Sequence, residues 1–70
     1  MNNLLTAREL EILISCAKGY TNNAIAEHLF ISNHTVKKHL AHIYFKLNIS
    51  SRVLAIIICL KSGVLDINEL

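Results

Sequence analysis

The fold is decided by residues 21–47, which read TNNAIAEHLFISNHTVKKHLAHIYFKL. Thr21 and Ser32 each precede a run of apolar residues at helical spacing, where a hydroxyl can accept a hydrogen bond from a free N–H of the first turn. Asn48, directly after the stretch, suits the left-handed conformation that ends many helices. The stretch therefore predicts a short helix at about residues 22–29, a tight turn, and a longer helix at about residues 33–47.

Two helices joined by so short a turn must cross closely, and this sequence meets the requirements of the crossing. Ala26 is a small residue where the second helix would pass. Apolar side chains stand on both sides of the turn: Ile25, Leu29, Ile31 and Val36. Phe30 holds a turn position often taken by glycine, so we expect its backbone not to be left-handed. The pattern predicts a helix-turn-helix unit.

The second helix of this unit has one apolar stripe and one polar face. The stripe consists of Val36, Leu40, Ile43 and Leu47, which fall within about 60° of one another on a helical wheel. His34, Lys38, Ala41, His42 and Phe45 point the other way, with Lys37 on the flank. A polar helical face of this length can enter a DNA major groove, which is about 12 Å wide.

Flanking segments predict two further helices. Thr6 and Glu9 have the spacing of a capping box, and Gly19 ends a helix of about residues 7–18. Ser51 and Gly63 bound a last helix of about residues 52–62. The expected fold is all-α: one domain over residues 1–70, a four-helix bundle that contains the helix-turn-helix, with residues 1–5 and 66–70 frayed.

The charges are distributed unevenly along the chain. The net charge is only +2, yet no acidic residue lies between Glu27 and Asp66. That stretch carries five cationic residues and all four histidines: Lys37, Lys38, Lys46, Arg52 and Lys61, with His28, His34, His39 and His42. An acid-free basic segment suits a polyanionic partner, although an ordinary solvated basic face has the same composition.

Several functional classes are disfavoured by the sequence. The chain has no glycine-rich phosphate loop and no nucleophile paired with a base, so we expect no enzyme and no cofactor. His39 and His42 lack further ligands at a useful spacing, so no metal site is expected. Cys16 and Cys59 are predicted to be reduced and buried. With no signal peptide and no apolar run long enough to span a membrane, the expected location is the cytoplasm.

An ordered set of residues resembles the LuxR/FixJ family of helix-turn-helix domains, also called GerE-like. The matching blocks are Leu5-Thr6-x-Arg8-Glu9-x-Glu11-Ile12-Leu13, Ala17-x-Gly19-x-Thr21-Asn22, Ile25-Ala26-x-x-Leu29-x-Ile31-Ser32, Thr35-Val36-Lys37-x-His39, Ile43-x-x-Lys46-Leu47-x-Ile49 and Arg52-x-x-Ala55. The chain departs from the family pattern at Ala24, Asn48 and Leu54. These departures weaken caps and make the last helix more apolar, but they leave the polar face of residues 33–47 unchanged.

The resemblance implies that helix 33–47 reads the major groove of double-stranded DNA as the output domain of a bacterial transcriptional regulator. It implies base contacts from His34, Lys37, Lys38, Ala41 and His42. It implies phosphate contacts from Thr21, Asn22, Thr35 and Lys46. His39 lies towards the core side of the helix and is expected to be half-buried. A transcriptional regulator of this kind would also be expected to contact RNA polymerase.

Helix 52–62 is apolar nearly all round, which predicts a second interface. Ala55, Ile56 and Cys59 share one side with the inward-leaning stem of Arg52, and we assign that side to the core. The opposite stripe is assigned to a two-fold partner: Val53, Leu54, Ile57, Leu60 and Lys61. A homodimer of this kind would bind a pseudo-palindromic operator. Alternatively, the stripe is simply exposed or packs on a regulatory domain.

Two other functions remain open at this point. A helix-turn-helix descendant can serve as a protein-interaction module through either the polar face or the last helix. A promoter-recognition domain of a sigma factor has a similar helix pair, but the blocks at residues 6–11 and 46–52 fit it less well. Salt-dependent binding to duplex DNA separates DNA recognition from the first alternative, and a requirement for core RNA polymerase identifies the second.

Overall fold

Four α-helices follow one another in the computed structural model, which describes residues 5–70. They are α1 (Ala7–Ala17), α2 (Asn22–Leu29), α3 (Asn33–Leu47) and α4 (Arg52–Ser62), followed by a short 3-10 turn, Ile67–Glu69. No β-strand occurs within these residues. The predicted all-α fold is confirmed, and α1 ends one residue earlier than expected because Lys18 is its C-cap.

Each α-helix begins at a hydroxyl side chain that accepts a hydrogen bond from the backbone N–H three residues later. Thr6, Thr21, Ser32 and Ser51 fill these positions, at distances of 3.1, 3.1, 3.0 and 3.3 Å. At α1 the Thr6 N–H also donates to the Glu9 carboxylate at 2.9 Å, which completes the predicted capping box. These bonds satisfy N–H groups that have no partner inside the helix.

The turn between α2 and α3 contradicts one expectation. Phe30 adopts the left-handed conformation, with φ 59° and ψ 43°. This backbone lets the N–H of Ile31 donate to the carbonyl of Ala26 at 3.0 Å, which closes the end of α2. The side chain of Phe30 is 95% exposed, so packing against the rest of the domain does not hold it in place. The geometry of the turn therefore overrides the conformational preference of a bulky residue.

The core lies between α3 and the three other helices. Its buried apolar side chains are Ile12, Leu13, Cys16, Ile25, Ala26, Val36, Leu40, Ile43, Ala55, Cys59 and Leu65. Both cysteines are unbridged, as predicted. Leu65 was not predicted: its N–H donates to the carbonyl of Cys59 at 2.9 Å, and its buried side chain anchors the segment after α4. Residues 66–70, which were expected to fray, therefore follow directly on a core residue and contain the 3-10 turn. The other segment expected to fray, residues 1–5, lies outside the described residues except for Leu5.

An ion pair joins α1 to the end of α3. Lys46 Nζ lies 2.6 Å from Glu9 Oε1, and Glu9 is only 3% exposed. Burial by itself would raise the pKa of the Glu9 carboxyl, but bonds from Lys46 and from the Thr6 N–H outweigh it, and the pKa lies below 4.5. One carboxylate thus caps α1 and neutralises a cation from another helix.

No single helix within the described residues is long and apolar enough to cross a membrane. Only α3 and α4 taken together reach that length and apolarity, and the pair is bent by 57°.

Replacing Phe30 with glycine is expected to stabilise the domain. The left-handed conformation disfavours a residue with a Cβ atom by roughly 1–2 kcal/mol, whereas glycine adds roughly 0.5–1 kcal/mol of backbone entropy to be lost on folding. Phe30→Gly should therefore raise the free energy of unfolding in urea by about 0.5–1 kcal/mol. Asn48→Gly is the matched control at the other left-handed non-glycine residue, and its gain should be smaller because asparagine tolerates this conformation. A less stable Phe30→Gly variant would contradict the strain argument.

Replacing Glu9 with glutamine should destabilise the domain in a pH-dependent way. At neutral pH we expect a loss of about 1–2 kcal/mol, because a charge-assisted bond to Lys46 becomes a neutral one. Since the folded-state pKa of Glu9 is lowered, its stabilising effect is complete above the ordinary glutamate range and disappears as pH falls through the lowered value. Thermal melts of parent and Glu9→Gln should differ clearly at pH 7 and converge in acid. A constant difference across that range would rule out the ion pair as its source.

Candidate nucleic-acid interface

The outer face of α3 is exposed because the opposite face supplies the core. Val36, Leu40 and Ile43 are buried, and Ala26 of α2 is buried as predicted for the crossing. The apolar residues around the turn, Ile25, Leu29, Ile31 and Val36, are all buried or half-buried. The hydrophobic stripe of α3 therefore determines which of its side chains are turned outward.

All five residues expected to contact bases are exposed: His34, Lys37, Lys38, Ala41 and His42. Lys38 and His42 also line a shallow depression of about 260 Å³ on this face, together with Thr35 and His39. His39 is half-buried, as expected. Phe45, one turn beyond Ala41, is 86% exposed. The structure thus presents the predicted base-contacting residues on one accessible helical surface.

The residues expected to contact phosphates occupy different environments. Thr21 is exposed at the start of α2, and Thr35 is half-buried with its hydroxyl 2.9 Å from that of Ser32. Asn22 is half-buried and accepts a hydrogen bond from Arg52. Lys46 differs from the other three, because its ammonium is bound to Glu9. A phosphate contact by Lys46 would have to share or break that ion pair.

Arg52 is half-buried, in keeping with the inward-leaning stem expected from the sequence, but its hydrogen-bond partner was not predicted. Its Nη2 donates to Asn22 Oδ1 at 2.7 Å and so connects the start of α4 to the start of α2. Burial raises the pKa of the Tyr44 phenol, and the nearby charge of Arg52 acts in the opposite direction. Arg52 therefore lies where α2, α3 and α4 meet. The sequence signal that could have indicated a neutral partner for Arg52 is the absence of acidic residues between Glu27 and Asp66.

Within the described residues, the exposed lysines of the outer face of α3 have no acidic partner. Within residues 5–70, the ion pairs are Arg8 with Glu11 and Lys46 with Glu9. Lys37, Lys38 and Arg52 consequently have no carboxylate within 4.0 Å in the described part of the chain. The same residues contain no group of three or more histidine, cysteine or acidic side chains placed to hold a metal ion. The surface is therefore suited to an external polyanion.

A second exposed surface lies on α4. Val53, Leu54 and Ile57 are 62%, 48% and 41% exposed. Leu60 is half-buried and Lys61 is exposed. On the opposite side, Ala55 and Cys59 are fully buried and Ile56 is partly buried, as predicted for the core side. The three large apolar side chains of Val53, Leu54 and Ile57 are neighbours on the solvent-exposed side of α4, and together they form a patch suited to contact with another protein surface.

A protein family described as bacterial regulatory proteins, LuxR family, matches residues 3–59 of this chain. The oxygen regulatory protein NreC of Staphylococcus carnosus is 49% identical over 63 residues, which cover 90% of this chain and 29% of NreC. The transcriptional regulatory protein DegU of Brevibacillus brevis is 41% identical over 61 residues, covering 87% of this chain and 26% of DegU. The chain thus spans less than a third of these relatives.

The fold has a counterpart of known structure. A crystal structure of the response regulator ChrA, from a heme-sensing two-component system, matches with a TM-score of 0.84 and 42% sequence identity. The match covers 93% of this chain and 32% of ChrA. Similarity in sequence and in three dimensions therefore extends over nearly the same residues.

Proposed function

This chain belongs to the LuxR family of bacterial regulatory proteins, and we propose that it binds specific sequences in double-stranded DNA as the output domain of a transcriptional regulator. Regulation of transcription through DNA binding is the role of such helix-turn-helix domains. The relatives are about three to four times as long, and a response regulator is among the similar structures. We infer that a signal-receiving part controls the domain. Its site of action would be the cytoplasm, where the chromosome lies.

The observation that carries the proposal is the exposed, acid-free outer face of α3. Lysines can donate to O6 and N7 of guanine, and a methyl group such as that of Ala41 can contact the methyl group of thymine. With 15 residues, α3 is about 22 Å long, enough to lie along the major groove with its first turns against the bases. We assign base contacts to His34, Lys37, Lys38, Ala41 and His42.

Phosphate binding would hold the protein in register on the duplex. We assign it to Thr21, Asn22 and Thr35, which lie in or next to the first turns of α2 and α3. Free N–H groups and the helix dipole favour an anion at such positions. Lys46 is left out of this set because Glu9 already binds its ammonium.

Binding to a duplex should weaken as salt increases, since lysines that neutralise phosphates release condensed counterions. Lys38→Ala should reduce discrimination between the selected operator and random DNA by about 1–3 kcal/mol, because Lys38 lies near the centre of the outer face. Sequences selected from a random duplex pool supply the operator, and fluorescence anisotropy at several salt concentrations supplies both affinities.

Two variants control this measurement. Lys18→Ala removes the same charge from the exposed residue that caps the end of α1 and should leave the ratio of the two affinities unchanged. Thr21→Ala should weaken binding to both DNAs alike and also destabilise α2, whose N-cap it removes. Absent binding at low salt would refute the proposed function. An unchanged ratio in Lys38→Ala would refute the assigned orientation of α3.

We further propose that α4 forms the interface of a two-fold homodimer on DNA. Val53, Leu54 and Ile57 are exposed, with Leu60 and Lys61 at the edge of the same stripe. A two-fold pair would set two α3 helices about 34–36 Å apart, one turn of the duplex, and so read a pseudo-palindrome. RNA polymerase would then be contacted by other surfaces of the bound dimer.

Ile57→Lys should abolish paired occupancy of a two-half-site operator while leaving the fold intact. An unpaired ammonium buried in an interface is strongly unfavourable, whereas at a solvated position it has little effect. Ile67→Lys is the matched control, since Ile67 is 68% exposed and lies outside α4. Sedimentation with DNA and circular dichroism report assembly and folding. If Ile57→Lys occupies both half-sites as tightly as the parent, the stripe serves another purpose, such as packing on a regulatory domain.

A further inference from the structure

Arg52 is a half-buried cation whose hydrogen-bonding partner is neutral. Its guanidinium carries five N–H donors, and one of them, on Nη2, binds Asn22 Oδ1 at 2.7 Å. Within residues 5–70, Arg52 makes no ion pair. The residue therefore does not serve as half of a salt bridge. Within the described residues, the Arg52 side chain donates one hydrogen bond, to the side-chain oxygen of Asn22 at the start of α2.

This contact determines the orientation of the Asn22 carboxamide. A guanidinium can only donate, so it selects the oxygen of the amide and leaves the nitrogen on the opposite side. Nδ2 of Asn22 donates to no residue within 5–70, and it is not among the buried polar atoms without a partner. Within residues 5–70, the two N–H donors of Asn22 Nδ2 therefore have no protein acceptor at the beginning of α2, next to Thr21.

We propose that Arg52 is a positioning residue for DNA binding: by holding Asn22 Oδ1, it directs the Asn22 Nδ2 amide outward as a hydrogen-bond donor to a backbone phosphate. This inference rests on the proposed function, in which Asn22 contacts phosphate. A freely rotating carboxamide would present its oxygen as readily as its nitrogen, and an oxygen repels the anion. Arg52 removes that alternative before DNA arrives, so less side-chain freedom is lost on binding.

The arrangement also connects the two proposed interfaces. Arg52 is the first residue of α4, whose exposed stripe begins at Val53, while Asn22 is the first residue of α2. A displacement of α4 would carry the guanidinium away from Asn22 Oδ1. The phosphate donor is therefore sensitive to the placement of the helix that we assign to dimer formation.

Two substitutions of similar length separate positioning from a simple effect of charge. Arg52→Gln and Arg52→Met both remove the positive charge, but only glutamine retains an N–H donor for Asn22 Oδ1. Each variant is made in the parent and in Asn22→Ala. Affinity for the operator duplex is measured at one salt concentration, and thermal melting is measured for every protein.

The proposal predicts that Arg52→Gln binds DNA about two- to tenfold more tightly than Arg52→Met, the range expected for one immobilised side chain. In the Asn22→Ala background this difference should vanish, because the group being oriented is gone. Melting temperatures that differ between Gln and Met without a matching difference in affinity would indicate a structural strut and overturn the proposal. Equal affinities, or a difference that persists without the Asn22 carboxamide, would also overturn it.

A second measurement uses the parent protein and does not depend on how the variants fold. The side-chain amide signals of Asn22 in a nitrogen–proton correlation spectrum should shift on titration with the operator duplex and should exchange more slowly with solvent in the complex. Unchanged Asn22 signals at saturation would overturn the inference while leaving the proposed function intact. Failure of the parent to bind any duplex would refute the proposed function itself.

Discussion

The burial of one face of α3 is the constraint on which the rest of the structure depends. Val36, Leu40 and Ile43 lie in the core, and side chains on the opposite face of a helix must then point to solvent. The other helices are arranged around this requirement, with α1, α2 and α4 all packed against α3. The proposed reading surface is therefore the direct counterpart of the hydrophobic core, because both are faces of a single helix.

The ion pairs of the domain also lie away from the outer face of α3. Glu9 and Glu11 lie on α1 and pair with Lys46 and Arg8. These carboxylates pair with cations on α1 and at the end of α3, whereas Lys37 and Lys38 on the outer face of α3 have no such partner within the described residues. A charge of +2 summed over the chain thus conceals a local excess of positive charge. Local placement determines the field that an approaching polyanion meets.

Local signals in the sequence predicted most of the fold, and the misses involve interactions between distant residues. Hydroxyl caps and the spacing of apolar residues act over a single turn, so the bounds of α2, α3 and α4 were predictable. The backbone conformation of Phe30 was wrongly predicted. It is set by the path of the turn, and that path depends on how α2 and α3 cross. The bond between Arg52 and Asn22 joins residues 30 positions apart, and helical periodicity says nothing about such pairs. Leu65 lies beyond the last helix, so no helical pattern indicated that it would be buried.

Among the polar contacts between helices in the described residues, two differ in chemistry with their location. Lys46 binds the carboxylate of Glu9, the stronger acceptor, on the α1 side of the domain. Arg52 binds the carboxamide of Asn22, a weaker and neutral acceptor, at the start of α2. An aspartate at residue 22 would hold the guanidinium more tightly, but it would also place a negative charge where we propose that a phosphate binds. The neutral carboxamide of Asn22 can be oriented by Arg52 without repelling an anion, so the weaker bond is the one compatible with the proposed phosphate contact.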